Sequence, residues 1–105
     1  MLHHADDSTF EAQVLRASGP VLVEFFTPSC GPCRQLEPHL QSIANKLAGQ
    51  IKVVKVNSEQ ATQTARIYDV KMAPTFMMFL NGQVRGAMQG APPPNRLFSF
   101  ANSYL

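Results

Sequence analysis

The chain has no tryptophan, only three histidines and only two cysteines, Cys30 and Cys33. Two thiols leave half of a zinc ion's four ligands to be found among three histidines, a poor basis for a metal site. Charged side chains make up 15% of the chain and the net charge is +2, too little to imply a nucleic acid or an acidic membrane as partner. No segment reaches the roughly 20 apolar residues of a membrane span. Met1 to Ser8 also lacks the basic start and following apolar run of a signal peptide. Repeats, linkers and low-complexity tracts are absent. What remains is 105 residues, 45% of them hydrophobic, enough for one domain with a core that needs no staples.

Apolar spacing divides that domain into alternating elements. Asp7 or Ser8 is suited to capping a first helix with Phe10, Val14 and Leu15 on one face, ended by Gly19-Pro20. His3-His4 before it reads as a solvated start or a short edge strand. Val21 to Phe26 is an almost unbroken apolar run, the mark of a strand covered on both faces, with Glu24 as its exception. A long helix follows, carrying Leu36, Leu40, Ile43, Ala44 and Leu47, ending at Gly49 and kinked at Pro38. Ile51 to Val56 reads as a second buried strand and Glu59 to Tyr68 as a helix. Thr75 to Leu80 and Gln83 to Met88 form a hairpin around Asn81-Gly82. Pro92-Pro93-Pro94 opens a last helix with Leu97, Phe100, Ala101 and Tyr104 facing inward. Two strand–helix alternations, a hairpin and a helix predict an α/β fold, a mixed sheet with helices on both faces.

The two cysteines stand in Cys30-Gly31-Pro32-Cys33. If Cys30 opens a helix, helical geometry sets the two Cα atoms roughly 5 Å apart, within reach of an unstrained disulfide. A bridge closing so short a loop constrains the unfolded chain little, so redox chemistry is the better reading. At a helix N-terminus Cys30 faces unpaired N–H groups and the positive end of the dipole, which favour thiolate. Cys30 is therefore the attacking sulfur and Cys33, one turn inward, the resolving one. Gly31 and Pro32 form and stiffen the turn, and proline at the first helical position loses no needed donor. With no signal peptide read in Met1 to Ser8, a cytoplasmic setting is expected, in which such a pair cycles rather than stays oxidised.

Val21-Leu22-Val23-Glu24-Phe25-Phe26, Cys30-Gly31-Pro32-Cys33, Pro38, Lys55-Val56-Asn57, Ala73-Pro74-Thr75, Asn81-Gly82 and Gly90-Ala91 together resemble the thioredoxin family, from about Asp6 to Leu105. The resemblance implies a thioredoxin fold over residues 1–105 and dithiol–disulfide exchange with disulfide-bearing protein substrates. It also implies a monomer without a resident cofactor, reset by a thioredoxin reductase drawing on NADPH. Glu24 takes the place of the family's buried aspartate, a proton carrier for the resolving cysteine, and Lys55 that of its partner lysine. A purely structural ion pair between adjacent strands is the other reading of Glu24 and Lys55. Pro74 takes the place of a cis proline beside the sulfurs, leaving Ala73's backbone to pair with an extended substrate; a trans proline opening a strand is the alternative. The docking surface implied comprises Ser29, Met72, Ala73, Gly90 and Ala91.

The departures lie on that surface. Ser29 replaces the tryptophan usual before the motif and is also suited to capping the helix. Phe26 replaces a second tryptophan, Met72 a frequent glycine and Ala73 a usual isoleucine. These changes leave the exchange chemistry intact and bear on the choice of partner. A general reductase leads; a redox partner dedicated to one pathway and a non-catalytic binding module are the alternatives. An oxidant or isomerase fits less well, because Gly-Pro between the cysteines matches reducing members.

Overall fold

The computed structural model describes every residue from Met1 to Leu105. Strands β1 (Leu2–Ala5), β2 (Val21–Phe26), β3 (Lys52–Asn57), β4 (Thr75–Leu80) and β5 (Gln83–Gln89) accompany helices α1 (Gly31–Lys46), α2 (Thr62–Ile67) and α3 (Pro94–Asn102). They form one mixed sheet in the order β1-β3-β2-β4-β5. β3 runs parallel to both β1 and β2, while β4 is antiparallel to β2 and to β5. This is the mixed sheet with flanking helices expected from the apolar pattern.

Side chains alternate across the sheet, and the core divides accordingly. Leu22, Val53, Phe76 and Met78 pack on one face with Leu36, Leu40, Ile43 and Ala44 of α1 and Leu97 and Ala101 of α3. Val21, Val23, Phe25, Val54, Val56, Met77 and Phe79 pack on the other with Ala5, Phe10, Val14 and Ala61. Each fully buried leucine, such as Leu40, contributes enough that truncation to alanine costs about 2–5 kcal/mol. No helix is long and apolar enough to cross a membrane.

Of the two readings of His3-His4 the edge strand holds: residues 2–5 pair with β3, Leu2 opposite Val53 and Ala5 opposite Val56. Other local expectations change. That strand moves the start of the following turn to Asp6, not Asp7 or Ser8. Asp6 Oδ1 accepts from the backbone N–H of Ser8 (2.9 Å) and Thr9 (3.0 Å). The helix after it winds with one i→i+5 step, Arg16 N–H to Glu11 carbonyl at 2.9 Å, making Glu11–Leu15 a π-helical turn. Asp7 instead crosses to α2, where its carboxylate accepts from Thr64 N–H (2.9 Å), Thr64 hydroxyl (2.7 Å) and Gln63 N–H (3.2 Å). α2 spans only Thr62–Ile67, shorter than the expected Glu59 to Tyr68, and Asp7 caps its start in place of Ala61, which has no side chain able to do so.

The hairpin turns on Asn81 (φ 53°) and Gly82 (φ 78°), both left-handed, as a two-residue type I′ connection requires. The ladder shifts between Met78 and Phe79, leaving Arg85 without an opposite residue. At this bulge Tyr104 of the C-terminal segment lies over Gly86 and its hydroxyl donates to Arg85 carbonyl at 3.3 Å.

Candidate active site

The Cys30–Cys33 disulfide spans the first turn of α1, with Cα atoms 5.3 Å apart. Cys30 is the N-cap in extended conformation, and its Sγ accepts the Cys33 N–H at 3.1 Å. The cap is thus the Cys30 sulfur itself, and Ser29, exposed and one residue outside the helix, does not supply it. Pro32 occupies the first turn, where its missing N–H breaks no bond. The two sulfurs differ in access: Cys33 is 5% exposed, Cys30 only half-buried. The loop leading into them is held at both ends, by Cys30 N–H to Thr27 carbonyl (3.1 Å) and by Arg34 Nη1 to Pro28 carbonyl (2.8 Å).

β2 points Leu22 and Glu24 toward α1, and the parallel register sets Glu24 opposite Lys55 of β3. Glu24 is 1% exposed, and neither carboxylate oxygen has a hydrogen-bond partner. Burial pushes its carboxyl up to about 7; the Lys55 charge pulls the other way and the Glu37 charge adds to the rise. The Lys55 ammonium goes elsewhere. It donates to both oxygens of Glu37, at 2.7 Å to Oε1, and lies 4.3 Å above the centroid of the Phe26 ring. The hydrogen-bonded partner of Lys55 is therefore Glu37 on α1, and Glu24 is coupled to it through space only.

Glu37 had no part in the expectations drawn from the sequence. One signal was available: it follows Cys33 by four residues and so shares its helix face. Phe26, Thr27, Pro28, Cys33, Arg34, Glu37 and Lys55 line an open cavity of about 290 Å³. This cavity joins the inner sulfur to the Lys55–Glu37 pair.

The residues expected to meet substrate gather at the same end of the sheet. β2 leaves the sheet at Phe26, just past the Phe25–Thr75 pair that starts β4. Immediately before Thr75, the Ala73–Pro74 peptide bond is cis. Pro74 carbonyl accepts Gly90 N–H at 2.8 Å, and the Thr75 hydroxyl donates to Met72 carbonyl at 2.7 Å. Met72 Cε lies 3.8 Å from where a side chain on Gly90 would begin. Ala73 makes no backbone hydrogen bond through either its N–H or its carbonyl. Met72 is 45% exposed and Ala91 is exposed beside Gly90. His39 is exposed in a cleft between α1 and α3, apart from the cysteines.

A family model for thioredoxin matches residues 1–103. The chain belongs to the thioredoxin family. It is 42% identical over 99 residues to Thioredoxin 1 of a Nostoc strain, covering 94% of this chain and 92% of that protein. Against the thioredoxin of Haemophilus influenzae it is 35% identical over 102 residues, covering 97% and 95%. It is also 37% identical over 100 residues to the chloroplastic Thioredoxin M2 of Arabidopsis thaliana, of whose length it spans 54%. With the family shown and the cysteine pair closed across one helical turn, the chemistry of the chain is thiol–disulfide exchange.

Proposed function

We propose that the chain is a general protein-disulfide reductase in which Cys30 attacks, Cys33 resolves and Glu24 carries the proton between steps. The Cys30 thiolate displaces one sulfur of a substrate disulfide, forming a mixed disulfide and releasing a thiolate that takes a proton from water. Cys33 then gives its proton to the Glu24 carboxylate, and its sulfur attacks Cys30 Sγ, expelling the second substrate thiolate, which is protonated in turn. The substrate gains two electrons and two protons; the chain passes from dithiol to disulfide. A flavoprotein reductase drawing on NADPH returns it to the dithiol, and the site needs no resident cofactor.

The observation that carries this reading is Cys30 Sγ at the N-cap, accepting Cys33 N–H. The donor and the helix dipole stabilise negative charge on the half-buried Cys30 sulfur more than on the buried Cys33 one. Proton transfer by Glu24 draws support from a carboxyl poised at about 7, near which an acid–base group works best. Ala73's unpaired peptide groups support strand-like pairing with an extended substrate, Pro74 holding them open. Met72, Gly90, Ala91 and Ser29 supply the surrounding surface, and the chain works as a cytoplasmic monomer.

Insulin-disulfide reduction tests the proposal, first with dithiothreitol and then with NADPH and a thioredoxin reductase, for wild type and Cys30→Ser. Activity of wild type alone in both assays is expected. Activity with dithiothreitol but not with the reductase would favour a dedicated redox partner, a reading motivated by Ser29, Met72 and Ala73. Wild type as inert as the variant would favour a binding module.

A further inference from the structure

We propose that Glu37 is a positioning residue for proton transfer, one that holds the Lys55 ammonium away from Glu24 and so sets how readily Glu24 takes and releases its proton. The inference rests on the reading of Glu24 as proton carrier.

Its basis is the arrangement of three side chains. Glu24 and Lys55 face each other in register on adjacent parallel strands, and both project to the α1 side of the sheet. In that position a lysine would ordinarily reach a buried carboxylate. Here both Glu24 oxygens are unpartnered, while Lys55 binds Glu37 through both oxygens. The groups around Glu24 are few. β3 supplies Lys55 and α1 supplies Glu37 and Cys33, with Arg34 on the cavity wall; β4 sets uncharged Phe76 opposite Glu24. Glu37 is thus the one other carboxylate of the set.

Glu37 has two effects of the same sign. Its negative charge opposes a second one on Glu24, and its hydrogen bonds keep Lys55 from solvating a Glu24 carboxylate. Both favour the protonated form of Glu24, in line with the raised carboxyl described above. The Lys55 side chain is about one-tenth exposed and Glu37 about two-fifths. The pair is therefore anchored on the buried side and adjustable on the open side. With Glu37 neutralised, Lys55 keeps its place above Phe26 but is free to turn its ammonium to Glu24.

The test reads Glu24 directly. The chain has four glutamates, Glu11, Glu24, Glu37 and Glu59, so carboxyl-13C glutamate labelling gives a small set of signals assigned by substitution. Wild type, Glu37→Gln, Lys55→Met and the double variant are titrated by NMR, with amide spectra to verify the fold. Glu37→Gln is expected to lower the Glu24 midpoint by about one pH unit, a tenfold change in its protonation ratio. In the Lys55→Met background the same substitution is expected to shift it by less than half as much. No shift on Glu37→Gln, or an equal shift in both backgrounds, overturns the proposal. Should Lys55→Met not fold, Lys55→Gln takes its place. Glu24→Gln assayed for insulin reduction is the separate check on the underlying reading. Unchanged turnover there would remove the proton-carrier role while leaving the titration result to stand or fall alone.

Discussion

Glu24 and Lys55 are register partners across β2 and β3, yet no hydrogen bond joins them. A buried carboxylate without a partner is costly when charged, and this ties the stability of the chain to pH.

Stability is expected to fall as pH rises from about 4.5 toward neutrality. The Glu24 carboxyl titrates near 4.5 when unfolded and at about 7 in the folded chain. Between those values the folded chain retains a proton that the unfolded chain has released. The loss is therefore absent below the lower value and complete above the higher, amounting to about 3 kcal/mol. Urea denaturation at about pH 5 and pH 8 measures it; Glu24→Gln should flatten that slope, and an equal slope in both proteins would refute it.

The acid side has the opposite sign. Hydrogen bonds from the Ser8 and Thr9 side chains hold Asp6 below its ordinary 3.8, and the Thr64 N–H and hydroxyl do the same for Asp7. Their contributions are present above that ordinary value and disappear as pH falls below it. Stability should peak between the two windows, at about pH 4. Asp7→Ala should also loosen α2, seen as faster amide exchange at Gln63 and Thr64 than in wild type.

Turnover should depend on Glu24 while the initial attack does not. Glu24→Gln is expected to lower insulin reduction by roughly 10²-fold, the lower range for general acid–base groups, with Cys30 alkylation nearly unchanged. Alkylation slowed in parallel would place the carboxyl's effect on the wrong sulfur.

Cys33→Ser should stall the cycle at the mixed disulfide. Incubated with a disulfide substrate, the variant is expected to accumulate a covalent adduct through Cys30 that dithiothreitol reverses. Cys30→Ser should form none, since Cys33 is buried and does not meet the substrate first. A Cys33 adduct in Cys30→Ser would contradict this order of attack.

Gly86 is held to glycine by the C-terminal segment. A Cβ there would stand 1.8 Å from the Tyr104 hydroxyl oxygen and 2.9 Å from its ring carbon. Gly86→Ala should displace Tyr104, losing its bond to Arg85 carbonyl and its edge contact with Phe100, at about 1–3 kcal/mol. Thermal or urea denaturation measures the loss. Combined with Tyr104→Ala, the two changes should cost less than their sum, because the clash is then gone.

Much of this was legible in the chain. The unbroken run Val21–Phe26, the 3-and-4 spacing from Leu36 to Leu47 and Asn81-Gly82 predict elements that the fold contains, because each satisfies a local rule and a core-facing rule together. β1 was harder to read, since a four-residue edge strand owes its form to pairing with β3, a partner some 50 residues away in sequence. Asp7's reach to α2 is likewise a product of tertiary contact. At the site, Cys30-Gly31-Pro32-Cys33 declares its geometry in four residues. Glu37 does not, because an acidic residue on a helix is ordinarily a solvated one; only the inward lysine of another element gives it a place in the site.

The closed cysteine pair occupies a single turn of α1, and the sheet's ladders nowhere pass through it. Opening that one bond breaks no rung of the sheet, so the dithiol form is expected to keep the outline of the disulfide form. Under the proposed function, a protein that takes electrons from the chain and one that returns them would then tell its two states apart at close range, by the sulfur of Cys30 and the few atoms around it, and not by shape.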